Sequence, residues 1–351
     1  MACKRQAVPE EPKGPIALDV VNANCYIVSS PGNFSFRPLK GNSSESVGDV
    51  STAEVIWESF GTDVRPEIGD IIKSVSLDNG RVVFSTPSEL NNGNAVIATK
   101  DCEGNILWSW HIWVCKDYIP NSSAQIYFHN AGVMMDRNIG ATSTTPGDVT
   151  SLGLFYEWGR KDPFLGPDGL SSDACASSTI LWPAGVTSNE TYGKFAYATS
   201  HPTTFIGRNG QNNDWTYTGG TGMVATKWQA QKTIYDPCPP GWRVPDGGKD
   251  GVWSMTLESS SGYEGEFYDQ TSKGVNFSGK FGSQKTIWYP ALGYLSPDLG
   301  IPMAASIEGL VWSCTTTANM AYALRFTSGG YVNPCASFSP AQGIPVRCIQ
   351  E

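Results

Sequence analysis

The stretch Val133-Met-Met-Asp-Arg-Asn-Ile-Gly-Ala141, continued by Leu152-Gly-Leu-Phe-Tyr-Glu-Trp-Gly-Arg-Lys-Asp-Pro163, sets charged groups directly against apolar ones. Val133 and Met134 read as a strand that runs into Asp136, Arg137 and Asn138 and stops at Gly140. Burying either charge alone is costly, so an Asp and an Arg in such a place must find internal partners. The expectation is an architectural polar knot of Asp136, Arg137 and Asn138 in preference to a catalytic pair.

The rest of the chain divides around this stretch. With 351 residues and 40% hydrophobic content there is material for two cores. Only 16% of residues are charged, while 38 Gly and 23 Pro point to a turn-rich, mainly β chain. A net charge of -9 with scattered Lys and Arg excludes a nucleic-acid footprint, and no apolar run is long enough to span a bilayer. From Ile16 to residue 121, short apolar segments recur between turn residues: Cys25 to Val28, Phe34 to Phe36, Ala53 to Trp57, Ile71 to Leu77, Arg81 to Phe84, Ala95 to Ala98 and Ile106 to Cys115. The last alternates, with Trp108, Trp110, Ile112 and Val114 on one face and Ser109, His111 and Trp113 on the other. Gly104 fits the positive φ of the hairpin turn before it. An immunoglobulin-like β-sandwich over 16–121 is the expectation. His111 reads as a hydrogen-bonded sheet histidine. Residues 117–123 read as a short boundary, too short to let two domains swing.

Beyond it, Thr150 or Ser151 is placed to cap a helix through Leu152, Phe155, Tyr156 and Trp158, and a second helix is expected from Ala225 to Ile234. Pro9 to Gly14 reads as a tether. Ala2-Cys3 before it looks like the remnant of a trimmed lipoprotein signal, making Cys3 the lipid-bearing residue. Without Cys3, eight cysteines remain, and about a hundred pairings are open.

Six blocks carry a family resemblance: the opening stretch, Asp236-Pro-Cys-Pro-Pro-Gly-Trp-Arg-Val-Pro245, Trp288-Tyr-Pro-Ala-Leu-Gly-Tyr294, Val311-Trp-Ser-Cys-Thr315, Ala321-Tyr-Ala-Leu-Arg-Phe326 and Ile344-Pro-Val-Arg-Cys-Ile349. In this order they resemble the Fibrobacter succinogenes major paralogous domain of Bacteroidota surface lipoproteins and fimbrial tip proteins. The resemblance implies a C-type-lectin-like fold, related to that of formylglycine-generating enzymes, over 122–351, with residues 1–15 as the lipoprotein tether. It also implies a Cys238–Cys348 bridge, which in the chain-entropy model is worth roughly 4 to 5 kcal/mol. A second link between Cys314 and Cys335 is expected beside it. The lectin-like fold suggests ligand binding in the long loop region from Ala174 to Gly222.

Within that region, Arg208, Asn209, Gln211, Asn212, Asn213, Asp214, Trp215 and Tyr217 combine amides, a carboxylate and rings. Amides and carboxylates bond vicinal hydroxyls, and rings stack on the C–H face of a sugar. The competing reading is an Asn/Gly-rich loop that satisfies its own backbone. The sugar-binding triplets of calcium-dependent lectins are missing, which argues against calcium-mediated binding. Gly274 to Lys280 has phosphate-loop spacing, but Phe281 stands where Ser or Thr is required. Asp246 to Gly251 begins like a calcium loop, but Leu257 replaces its Glu. Three isolated His offer no zinc pattern. No metal, cofactor or enzymatic centre is expected. The chain reads as a lipid-anchored adhesin on the outer membrane's external face, at a fimbrial tip, binding a glycan or a host extracellular protein. The other reading is a pilus subunit that joins a protein partner by strand addition.

Overall fold

The computed structural model describes residues 14–166, 178–210, 213–218 and 227–351. The chain is mainly β, and among the described residues no helix is long and apolar enough to cross a membrane. Cys3 and most of the tether lie outside the described residues.

Seven of the N-terminal strands fall where the alternating pattern puts them. One sheet has the order Ile16–Ala17, Asn33–Phe36, Arg81–Ser85, Ser74–Asp78, and the other Cys25–Val28, Ile106–Val114, Gly93–Lys100, Thr52–Ser59. Phe34, Phe36, Phe84, Ile97, Trp110 and Ile112 form the core between them. Gly104 takes φ 87° in the hairpin turn after Asp101, as its lack of a Cβ allows.

The strand Ile106–Val114 departs from a half-solvated pattern: Trp108 onward is buried on both faces. Its second face lies under the C-terminal half. Trp113, Cys115 and Tyr118 join Met135, Tyr156 and Trp158 in one core cluster. Asn24 adds polar links, its Nδ2 donating to the carbonyls of Ile234 at 2.7 Å and Asp236 at 2.9 Å.

His111 sits in this seam, with Nε2 2.9 Å from Asn94 Oδ1 and Nδ1 3.4 Å from Cys25 Sγ. Burial pushes its imidazole down from 6.5 to about 3, so the fold keeps it neutral where the unfolded chain takes a proton. The stability it contributes is therefore complete above about pH 6.5 and is lost as the pH falls towards about 3. His111→Gln is expected to flatten that acid limb in urea unfolding followed from neutral to mildly acidic pH. An unchanged slope would show that other groups set it.

The polar knot forms as the opening stretch requires. Arg137 donates to Asp136 through Nε and Nη2, both at 2.9 Å, and its guanidinium lies 4.0 Å from the Tyr118 ring centre. Tyr118 donates its hydroxyl to Asp136 at 3.1 Å. Asn138 donates to Leu152 O at 3.1 Å and accepts from Arg347 Nε at 3.3 Å. The knot thus ties the first half of the C-terminal part to its last segment.

Three expectations are corrected. No helix runs from Leu152 to Gly159; Phe155–Glu157 is a strand paired with Gly343–Pro345. Gly153 at φ 86° breaks any helical start, and Asp148, not Thr150 or Ser151, caps the short turn there by accepting from Thr150 N. Residues 227–234 hold no helix either, and the start of that expected segment lies outside the described residues. The third correction concerns cysteines. Cys238 and Cys348 are bonded, across a sequence separation of 110, but Cys314 and Cys335 are free thiols. They belong to Glu308–Thr317 and Val332–Phe338, the outer strands of a sheet whose middle strand is Met320–Thr327. Two strand spacings come to about 9 to 10 Å, beyond the roughly 7 Å that a disulfide spans.

Candidate functional site

Residues 178–210 and 213–218 form a layer tied to both halves of the chain, Glu58 N donating to Thr179 Oγ1 at 3.0 Å and Arg208 N to Pro297 O at 2.8 Å. Val186–Thr187 pairs in parallel with Ile206–Gly207, and the short helix Phe195–Ser200 falls between them in sequence. Its inner side is apolar: Ala198, Ile206, Trp215 and Ala341 form one buried cluster.

The layer is fixed from beneath by two residues of the strand and turn that the helix expectation missed. Arg160 Nη1 donates to Glu157 Oε2 at 2.5 Å and to Thr204 O at 2.8 Å, and Nη2 to His201 O at 3.2 Å and Ala198 O at 3.3 Å. Glu157 Oε1 accepts from Ile206 N at 3.1 Å. Both side chains are buried. Burial pushes the Glu157 carboxyl up to about 7, against the pull of Arg160. A second ion pair, Asp214 with Lys227, is likewise closed to solvent.

The residues expected to hold a ligand separate into two groups. Arg208 is partly exposed, held by Asp298 Oδ1 at 2.8 Å and Asn213 Oδ1 at 3.3 Å. Asn209, Asn213 and Tyr217 are also partly exposed. Asp214 and Trp215 are not available: both are 0% exposed. Trp215 packs edge-on against Phe195 at 5.4 Å and donates Nε1 to Trp158 O at 2.8 Å, so it is a core side chain and cannot stack on a bound sugar. Gln211 and Asn212 lie outside the described residues.

The accessible rings are others. Tyr192 and Tyr197 have ring centres 5.0 Å apart, and Tyr197 stacks on the exposed His201 at 4.0 Å, with 13° between planes. Tyr217 adjoins this ladder, its backbone N donating to Gly193 O at 2.8 Å. The spacing of four between Tyr197 and His201 on one helical turn is the signal in the sequence that points to part of it. Aromatic faces of this kind stack on C–H surfaces, while amides and guanidinium groups such as those of Asn209, Asn213 and Arg208 bond hydroxyls. Among the described residues, no group of three His, Cys, Asp or Glu is placed to hold a metal ion.

Comparison of the chain with protein-family models, with curated proteins and with solved structures finds no match.

Proposed function

We propose that this chain is a non-catalytic adhesin: a cell-surface lipoprotein, anchored through Cys3 and carried on a fimbrium, that binds a glycan through the layer formed by residues 178–210 and 213–218. In this reading residues 16–121 are an immunoglobulin-like sandwich and 122–351 a C-type-lectin-like domain. The observation that carries it is the ring ladder Tyr192, Tyr197 and His201, partly open to solvent on a layer whose underside is clamped by Glu157 and Arg160. A rigid base with exposed rings and amides suits recognition, because little ordering is left for the ligand to impose. The Cys238–Cys348 bridge agrees with an oxidising compartment.

On a glycan array the full chain is expected to give a hit that Tyr197→Ala or Asn213→Ala weakens by roughly tenfold, about the worth of one stacked ring. Trp215→Ala is no substitute, since it tests folding. A blank array with folded protein refutes the reading.

A second reading rests on the strand Ser74–Asp78. It forms the edge of its sheet, is paired with Arg81–Ser85 on one side, and alternates exposed and half-buried residues. Such an edge accepts an added strand. A stoichiometric fimbrial partner, lost when Ser76 is replaced by Pro, would favour assembly over ligand binding.

A further inference from the structure

Beneath the layer, Lys227 and Asp214 form an ion pair in which both side chains are 0% exposed. Lys227 Nζ lies 4.3 Å from the Trp215 ring centre and 5.5 Å from that of Trp158. Asp214 Oδ1 also accepts from Thr216 N at 3.0 Å, which holds the carboxyl in place. The lysine stem is seated just as closely: a Cβ on Gly159 would fall 2.2 Å from Lys227 Cβ, so only glycine fits there. Glu157, another carboxyl with 0% exposure, is held apart from this pair by Arg160 and by Ile206 N.

We propose that Nζ of Lys227 and Cγ of Asp214 become joined, once the chain has folded, by an amide bond, an intramolecular isopeptide cross-link. An ammonium and a carboxylate persist in water because both are hydrated; closed away from it, both charges are costly and proton transfer to the neutral amine and acid becomes accessible. Burial drives the Lys227 ammonium in that direction. The neutral nitrogen attacks the Asp214 carboxyl carbon, the new N–C bond forms as a C–O bond breaks, and the hydroxyl leaves with a proton from nitrogen as one water. No electrons are exchanged with any other species. Fixed contact of the two groups replaces the high concentration this condensation would need in solution. This inference is independent of the ligand reading: it concerns the underside of the layer.

The test is the intact mass of the reduced full-length protein. It is expected to be one water lighter than its sequence, with a single tryptic peptide from Asn209 to Lys232 that is uncleaved after Lys227 and itself one water light. Lys227→Arg keeps a positive charge but cannot form this bond, and is expected at its full sequence mass. Asp214→Asn is expected to lose one ammonia in place of water, which separates the cross-link from dehydration elsewhere. Wild-type protein at full mass, or with water lost outside that peptide or with normal cleavage after Lys227, overturns the proposal.

Discussion

Replacing Cys238 and Cys348 together by Ala is expected to lower the unfolding free energy by about 4 to 5 kcal/mol, the loop-closure entropy of a long enclosed segment. The two cysteines stand 110 residues apart and both are fully buried. Local bonds are a smaller effect. Asp236 Oδ1 accepts from Cys238 N at 2.8 Å and Asp236 Oδ2 from Val244 N at 2.9 Å, while Met135 N donates to Cys348 O at 2.9 Å. Each such bond contributes a net of about 1 kcal/mol and survives the substitution, so the entropic term decides the outcome. Whole-domain stabilities are on the order of 5 to 15 kcal/mol, so the variant is expected to be marginal. Its consequence is local as well as global. The last strand, Ile349–Gln350, pairs with both Gly132–Met134 and Trp242–Arg243, and the bridge holds it there. Urea unfolding of the Ala pair checks the prediction, and a loss below about 1 kcal/mol would show that non-covalent contacts alone close the loop.

The elements that sequence reading recovers are those whose signal is local. Cys25–Val28 and Ile106–Val114 announce themselves through β-branched and aromatic residues between turns, and period two requires no knowledge of a partner. Asp136 and Arg137 are similar: adjacent opposite charges beside apolar residues have few other outcomes. The misread elements depend on distant partners. Leu152, Phe155 and Tyr156 have helical spacing, but Phe155–Glu157 is made a strand by Gly343–Pro345, which lies far along the chain. Propensity gives way to tertiary pairing there. Trp215 shows the same limit at the site. In sequence it is an aromatic in a polar, Asn-rich loop, the expected place for a ring that meets a ligand. In the fold its neighbours are Phe195, Trp158 and Lys227, none of which its own loop reveals. The ring ladder went unread for the converse reason: Tyr192 joins Tyr197 only once the chain before the helix folds back.

Arg160→Met is expected to cost about 3 to 5 kcal/mol at neutral pH, because it strands Glu157 in a site with 0% exposure. Lost side-chain packing is the lesser part, since Met fills much of the same volume. The charge origin is checked by pH. Burial already holds the Glu157 carboxyl at about 7, above its ordinary 4.5, and removing Arg160 takes away the first influence opposing that rise. A carboxyl that binds its proton more tightly when folded stabilises the fold below its unfolded value, and that stability is lost as the pH rises through the folded value. The penalty of Arg160→Met is therefore expected to be largest above about pH 7 and to shrink towards about pH 4.5. Adding Glu157→Gln is expected to remove this pH dependence without restoring full stability. The carbonyls of Ala198, His201 and Thr204 still lack their donor. Those carbonyls frame the end of the helix that presents Tyr197, so limited proteolysis of residues 194–206 should accelerate in both variants. Cleavage at the wild-type rate would assign the anchoring of this layer to Trp215 and its apolar neighbours, and leave Arg160 only the task of neutralising Glu157.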